Sequence, residues 1–270
     1  MKRNDQWREP AMIIKRNCDY TPKGVNRPLH LYLPDSYNDS LERFPVMYFF
    51  DGHNLFFDWD ATYGKSWGLK DFLDRWGKKM IIVGLECGHD GEERLSEYLP
   101  YPANKGSRFA AFEPMGHETM EWIVNEIKPV IDRDYRTIPF RECTGIAGSS
   151  MGGLMALYAA AHYNQWFSKA ACVSTAMGFC IRPVMKDLRA NDLNHDTRVY
   201  LSWGTKEAHG LKNTDRLDRS SKSYSWNKRV ADHWTASGCA VKMECQVGGG
   251  HCEADWEKLV PSFMNFLWTE

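Results

Sequence analysis

The stretch "GIAGSSMGG", Gly145 to Gly153, gathers four glycines and two serines between a strand-like run and the strongly helical "LMALYAAAHY". Gly148, Ser150 and Gly152 fit the pattern G-x-S-x-G, and a strand before and a helix after are the context its chemistry requires. A serine on so sharp a turn takes a strained backbone conformation, and larger neighbours would collide with the adjoining strand and helix. Gly148, Gly152 and Gly153 leave that room. The hydroxyl then projects above the sheet at a helix N-terminus, where free N–H groups and the helix dipole favour developing negative charge. The backbone N–H of Met151 is the first candidate oxyanion donor. A close-packed strand-to-helix turn explains the same glycines without chemistry, so the functional reading depends on partners.

A serine hydroxyl is a poor nucleophile unless a base removes its proton and a third group orients that base. In a strand–turn–helix fold of this kind the three follow in the order nucleophile, acid, base. "QVGGGHCEADW" places His251 just past the last strand and just before the last helix, behind three glycines. The other eight of the nine histidines, His209 among them, read as exposed or structural. For the acid, "WGTKEAHG" sets Glu207 three residues beyond Gly204 at the end of a strand, while Asp215 and Asp218 lie farther along a polar loop and rank second. A second oxyanion donor is read in "YFFDGHNLF", where Asp51 and Gly52 make a turn and aim the N–H of His53 at the site.

Around these positions apolar runs alternate with amphipathic segments. Strands are predicted at Arg27 to Leu33, Val46 to Phe50, Met80 to Leu85, Cys143 to Gly148, Ala170 to Ser174, Arg198 to Gly204 and Ala240 to Val247. Helices are predicted from Trp67 to Trp76, from His117 with helical spacing up to Pro129, after the serine turn, from Ser220 to Ser237, and near the C-terminus, where Pro261 suits a first turn better than an interior. The alternation argues for α/β class: a mostly parallel sheet with helices on both faces and an antiparallel edge at the early strands. The loop from Glu86 to about Met115 is left polar and irregular. Sites in such sheets form beyond the carboxyl ends of the strands.

Composition narrows the function classes. The chain of 270 residues has a net charge of -1 with basic and acidic residues interspersed, so no nucleic-acid footprint is expected. One domain over 1–270 is the expectation for this length. The start "MKRNDQWREP" lacks the apolar core of a leader, and no apolar run approaches a membrane span, which points to a cytoplasmic protein. Eight cysteines without a C-x-x-C pair read as free thiols.

Five blocks in order carry a resemblance: "VMYFFDGHNLF", "MIIVGLECG" with "ERLSEYLPY", "GIAGSSMGGLMALYAA", "VYLSWGTKE" and "GGGHCEADWEKLVPSFMNFL". Over most of the chain from Pro45 onward the sequence resembles the "Putative esterase" family of α/β-hydrolases, with its esterase D-like enzymes, feruloyl esterase domains, enterochelin esterases and mycolyltransferases. The resemblance implies an α/β-hydrolase fold, and the short connection between Ser174 and Arg198 leaves no place for a large lid domain. It also implies a triad of Ser150, Glu207 and His251 with N–H donors at His53 and Met151. Glutamate as the acid is similar to the mycolyltransferase pattern, whereas many relatives use aspartate. Many relatives carry Gln where His53 stands, which leaves a substrate role open for its side chain. Arg94 and Glu97 match a recurring R-x-x-E-Y stretch that reads as a loop-fixing ion pair.

These readings make the expected reaction hydrolysis of a carboxylic ester through an acyl-enzyme, on a small acyl or aryl ester of a sugar or phenolic compound. An acyltransferase would use the same triad, and a non-catalytic hydrolase-like binding protein is the rival of another class. The short connection between Ser174 and Arg198 argues for an open site. Its shape is expected to be set by the loop Glu86 to Met115 and by Phe56, Phe57, Trp59, Tyr63 and Trp67, with Asn54, Phe56, Trp67 and Arg94 as candidate substrate contacts. No cofactor or metal is required, and "DWD" at Asp58 to Asp60 reads as a solvated turn. The only partner expected is a small-molecule ester; oligomeric state is not legible.

Overall fold

The near-continuous apolar runs become the middle of one sheet. β3 (Val46–Phe50), β4 (Ile81–Leu85) and β5 (Thr144–Ser149) are buried at every residue, as strands covered by helices on both faces must be. A computed structural model describes residues 11–207 and 215–269; the N-terminal decapeptide and His209 lie outside the described residues. The remaining strands are β1 (Met12–Tyr20), β2 (Val25–Leu33), β6 (Lys169–Val173), β7 (Arg198–Gly204) and β8 (Ala240–Gln246). They assemble in the order β1-β2-β4-β3-β5-β6-β7-β8. β1 with β2 and β2 with β4 pair antiparallel, and every other pair is parallel.

That order puts β4 and β5 on opposite sides of β3, so the chain reverses its direction of travel across the sheet between them. The crevice outside the carboxyl ends of β3 and β5 is therefore the place where an open α/β sheet accepts ligands. Along β3 the period of two divides the core: Val46, Tyr48 and Phe50 enter one apolar layer, Met47 and Phe49 the other. The helix Met151–His162 is apolar all round and buried along nearly its whole length, as a central helix should be.

Three differences from the sequence reading have physical causes. β1 is an additional strand: "MIIKRNCDY" mixes Lys15, Arg16, Asn17 and Asp19 into its apolar positions, so its periodicity is weak, yet it pairs from Met12↔Leu33 to Tyr20↔Val25 as a long hairpin arm. The helix at His117 does not stop at Pro129. It passes from Gly116–Trp122 through a π turn, Ile123–Ile127, into Lys128–Asp134, and the Lys128 N–H bonds to the Ile123 carbonyl. Proline removes one N–H and crowds the carbonyl four residues back; widening the preceding turn relieves both. The polar loop after β4 carries a short helix, Glu93–Glu97, and a 3-10 turn, Arg108–Ala111. Elsewhere Pro261 enters the first turn of Val260–Trp268, the connection from β6 to β7 holds a single helix, Ile181–Leu188, and all eight cysteines are free.

At the serine turn the strand and helix touch through bare backbone. A Cβ built on Gly148 would lie 2.5 Å from the Gly152 carbonyl carbon. Gly148→Ala is therefore expected to destabilise the fold by about 1–3 kcal/mol through overpacking, read as a lower urea midpoint with unchanged slope. Gly77→Ala, where an added Cβ meets nothing within 4 Å, should leave the midpoint in place.

Candidate active site

Ser150 stands between β5 and the helix Met151–His162 with φ 56° and ψ −116°. A non-glycine residue held there costs about 1–3 kcal/mol and persists only where its surroundings over-determine it. They do so by backbone bonds: the Ser150 N–H donates to the Val173 carbonyl at 3.0 Å, and the Ser150 carbonyl accepts from Ala176 at 3.0 Å and Leu154 at 3.1 Å. Met151 is the first helical residue, so its N–H has no intrahelical acceptor.

Across the sheet, His251 and Glu207 meet. The His251 Nδ1 is hydrogen-bonded to Glu207 Oε2, which leaves Nε2 as the ring atom free to work. The other carboxylate oxygen accepts from the Gly204 N–H and from the Ser174 hydroxyl, the latter at 2.6 Å. Ser174 in turn accepts from Trp256 Nε1 at 3.0 Å, and the Trp256 ring meets the His251 ring edge to face at 5.0 Å. Ser174 itself has φ 46° just past the end of β6, so backbone strain is again located where a side chain must point at the site. The carboxylate thus reaches the imidazole already oriented by two donors.

On the other flank β3 ends in Asp51, with φ 59°, and the 3-10 turn Gly52–Asn54. Gly52 presses on β4 so closely that a Cβ there would lie 2.5 Å from the Gly84 carbonyl carbon. His53 is the second residue of this turn. Asp51 is buried and held by Arg94, whose Nε and Nη2 donate to its two oxygens at 2.6 and 2.7 Å. Burial alone would raise the Asp51 pKa; the adjacent Arg94 charge and its hydrogen bonds outweigh burial and hold it below the ordinary value. The Asp51 carboxylate also packs under the serine turn, 3.2 Å from where a Gly152 Cβ would sit.

Two clefts meet at Ser150 and His251. One, of about 470 Å³, is aromatic: Phe109 and Phe179 stack at 4.3 Å, Trp203 and Trp226 close it, and Thr175 and Asn227 offer polar atoms. Thr175 Oγ1 and Asn227 Oδ1 are buried without a hydrogen-bond partner among the described residues. The other, of about 450 Å³, is polar and takes in His53, Asn54, His89, Arg94 and Glu253. Burial raises the pKa of Glu253, whose carboxylate accepts from Asn54 Nδ2 at 3.3 Å.

Residues 23–266 match the family model described as "Putative esterase". The chain belongs to that family. As such it is a carboxylic ester hydrolase. The uncharacterized protein YbbA of Bacillus subtilis (strain 168) is 29% identical over 210 residues, 74% of this chain and 80% of YbbA. Esterase Rv1288 of Mycobacterium tuberculosis (strain ATCC 25618 / H37Rv) is 32% identical over 148 residues, 55% of this chain, and the match spans 29% of that longer protein. An IroE-like serine hydrolase from Shewanella oneidensis superposes with a TM-score of 0.72 at 20% identity, over 94% of this chain and 80% of its own. A ferulic acid esterase superposes at 0.70 and 17% identity, over 97% and 98%. At these identities the structures establish the α/β-hydrolase fold.

The esterase brings Ser150, Glu207, His251, Met151, His53, Asn54 and Arg94 to one end of the sheet. It does not bring Phe56 and Trp67 there. Phe56 stacks on Tyr32, and Trp67 packs against Phe49, Trp256 and Phe263, so both fill the apolar layer beneath and line neither cleft. Phe57 and exposed Trp59 stack on each other at 4.3 Å, and Tyr63 lies at the polar cleft. Arg94 and Glu97 do fix loops but with separate partners: Glu97 accepts from Arg27 at 2.7 Å and from the Gly88 N–H at 2.8 Å. In "DWD", Asp58 caps Ser66 and Asp60 pairs with Lys15. Phe109 comes from the loop expected to shape the site, but Phe179, Trp203 and Trp226 were not anticipated, although Ser223, Trp226 and Asn227 share one face of the helix Lys222–Ala236 at i, i+3, i+4 spacing. Among the described residues no helix is long and apolar enough to cross a membrane.

Arg94→Met strands the buried Asp51 carboxylate and is expected to cost about 3–5 kcal/mol at neutral pH. The double variant Asp51→Asn/Arg94→Met should recover most of it. Since the folded pKa of Asp51 is depressed, its contribution is complete above the unfolded value of about 3.9 and fades as pH falls through the folded one. The gap between parent and Arg94→Met should therefore narrow in acid; denaturant titrations across pH measure it.

Proposed function

We propose that the esterase cleaves its substrate through an acyl-enzyme on Ser150, with His251 as base and Glu207 as the group that orients it. The carrying observation is the Glu207–His251 hydrogen bond through Nδ1, on a ring that lines both clefts together with Ser150. In this reading Ser150 Oγ attacks the ester carbonyl carbon while His251 Nε2 takes its proton. The N–H groups of Met151 and His53 stabilise the resulting oxyanion. Collapse expels the alcohol, which receives the proton from His251. Water, deprotonated by the same ring, then attacks the acyl-enzyme and restores Ser150. Asp218 is engaged with Ser220, which supports Glu207 as the acid.

The contrast between the clefts supports an aryl or small acyl group on the Phe109, Phe179, Trp226 side and a hydroxylated portion on the polar side. Ferulic acid esterase among the structural relatives agrees with an aryl ester. A small-molecule ester handled in the cytoplasm is the corresponding partner and location.

Ser150→Ala should reduce turnover of p-nitrophenyl acetate to background and remove labelling by a fluorophosphonate probe; retained labelling at full activity would refute the nucleophile. Glu207→Gln should lower kcat by about 10⁴-fold. Ser174→Ala, which removes one donor to that carboxylate, should lower kcat by roughly ten- to a hundredfold with KM little changed. On a panel of acetylated sugars, feruloyl esters and long-chain acyl esters, preference for the long chains would count against the substrate class.

A further inference from the structure

Three side chains at the rim of the polar cleft take no part in the proposed ester chemistry. His53 follows β3, and Cys87 and His89 follow β4, in the spacing C-x-H. Each offers a donor atom, and the three lie within 4.8 Å of one another; among the described residues this is the only trio of His, Cys, Asp or Glu so placed. His53 is 7% exposed, yet its Nδ1 has no hydrogen-bond partner among the described residues. A buried ring nitrogen left unpaired is costly unless something occupies the space it faces.

We infer that His53, Cys87 and His89 form a binding site for a borderline-soft divalent cation, of which Zn²⁺ is the natural occupant. The second layer is already built. His53 Nε2 is paired with Thr62 Oγ1 at 2.9 Å, and His89 Nε2 with Glu86 Oε1 at 2.8 Å, so each ring has its Nδ1 left for a metal. A carboxylate behind the distal nitrogen is the usual way a ligating imidazole is oriented and made more basic. Glu86 is itself anchored by His30 at 2.5 Å.

Two imidazoles and one thiolate select Zn²⁺ over Mg²⁺ or Ca²⁺, which take oxygen ligands. Bond lengths of about 2.0–2.1 Å to nitrogen and 2.3 Å to sulfur set ligand separations of roughly 3.3–3.7 Å in a tetrahedron. Donors within 4.8 Å of one another reach that spacing by closing at most about 1.5 Å. His89, half exposed on its loop, has the freedom to do so. A ligating cysteine binds as the thiolate, so Cys87 must give up its S–H proton. Binding replaces that proton: the sulfur forms a bond to zinc and the proton leaves to solvent. With three protein ligands the fourth position stays open. The trio lines the same cleft as Ser150, so the fourth ligand would be water or an oxygen of a molecule lodged there.

The test is a titration of the chelator-stripped full chain with Co²⁺, read by thiolate-to-cobalt charge-transfer absorption, then displacement by Zn²⁺. The expected result is one saturable site whose band disappears in Cys87→Ser. Affinity should fall at least tenfold in His89→Ala, and about 10–100-fold in Glu86→Gln. Cys252→Ser, at the exposed thiol, should leave the band intact. Absence of the band at saturating Co²⁺, its survival in Cys87→Ser, or an unchanged affinity in His89→Ala would overturn the site. Should Cys87→Ser fail to fold, His89→Ala decides alone, because its ring is not part of the core. Absorbance reads binding directly, so the outcome does not depend on the ester mechanism.

Discussion

The contact between Gly148 and Gly152 governs the geometry of this molecule. With no Cβ on either residue, the end of β5 and the start of the following helix approach through backbone alone. That approach forces Ser150 into a positive φ, and only the bonds to Val173, Leu154 and Ala176 keep it there. The helix axis then points at the crevice where the direction of the sheet reverses, and the loops after β3, β6, β7 and β8 converge on the same spot. A larger residue at Gly148 would push the helix off β5, and one at Gly152 would press on Phe50 and Asp51 at the end of β3.

Local strain and buried charge cluster around this contact. Asp51, Ser150 and Ser174 are the non-glycine residues with positive φ among those described, and all three end a parallel strand at the crevice. Each is fixed by a neighbour of a different kind: Arg94 grips Asp51, backbone carbonyls and N–H groups hold Ser150, and Trp256 anchors the Ser174 hydroxyl that reaches Glu207. Sequence-distant segments are thereby locked into one rigid arrangement before any ligand arrives, which is what an electrostatically preorganised site demands.

The legible parts of the molecule were those written in local pattern. "VMYFF" and "RVYLSWG" coincide with β3 and β7 because a buried parallel strand needs nothing but consecutive apolar residues. The serine turn could be read because its steric demand falls on adjacent positions. Glu207 and His251 followed from strand order, and the structure hydrogen-bonds them. Phe56 and Trp67 could not be placed, since an aromatic near the site and an aromatic beneath it look alike until the chain's descent into the second core layer is known. The same blindness hid Phe179 and Trp226 in the cleft they share with Phe109, whose members come from three separate loops and helices. The Cys87–His89 spacing was visible, but its relation to His53 exists only because β3 and β4 lie side by side.

The helix that begins at Met151 is enclosed by other elements over almost its whole length. Dissolved ions cannot gather along its sides, and its dipole meets solvent only at the mouth of the crevice. Surface ion pairs elsewhere, such as Lys228 with Asp232, lose their attraction when mobile counterions crowd around them. The field at the serine is therefore weakened only by ions that enter the crevice itself, and its salt dependence follows how freely that mouth admits them.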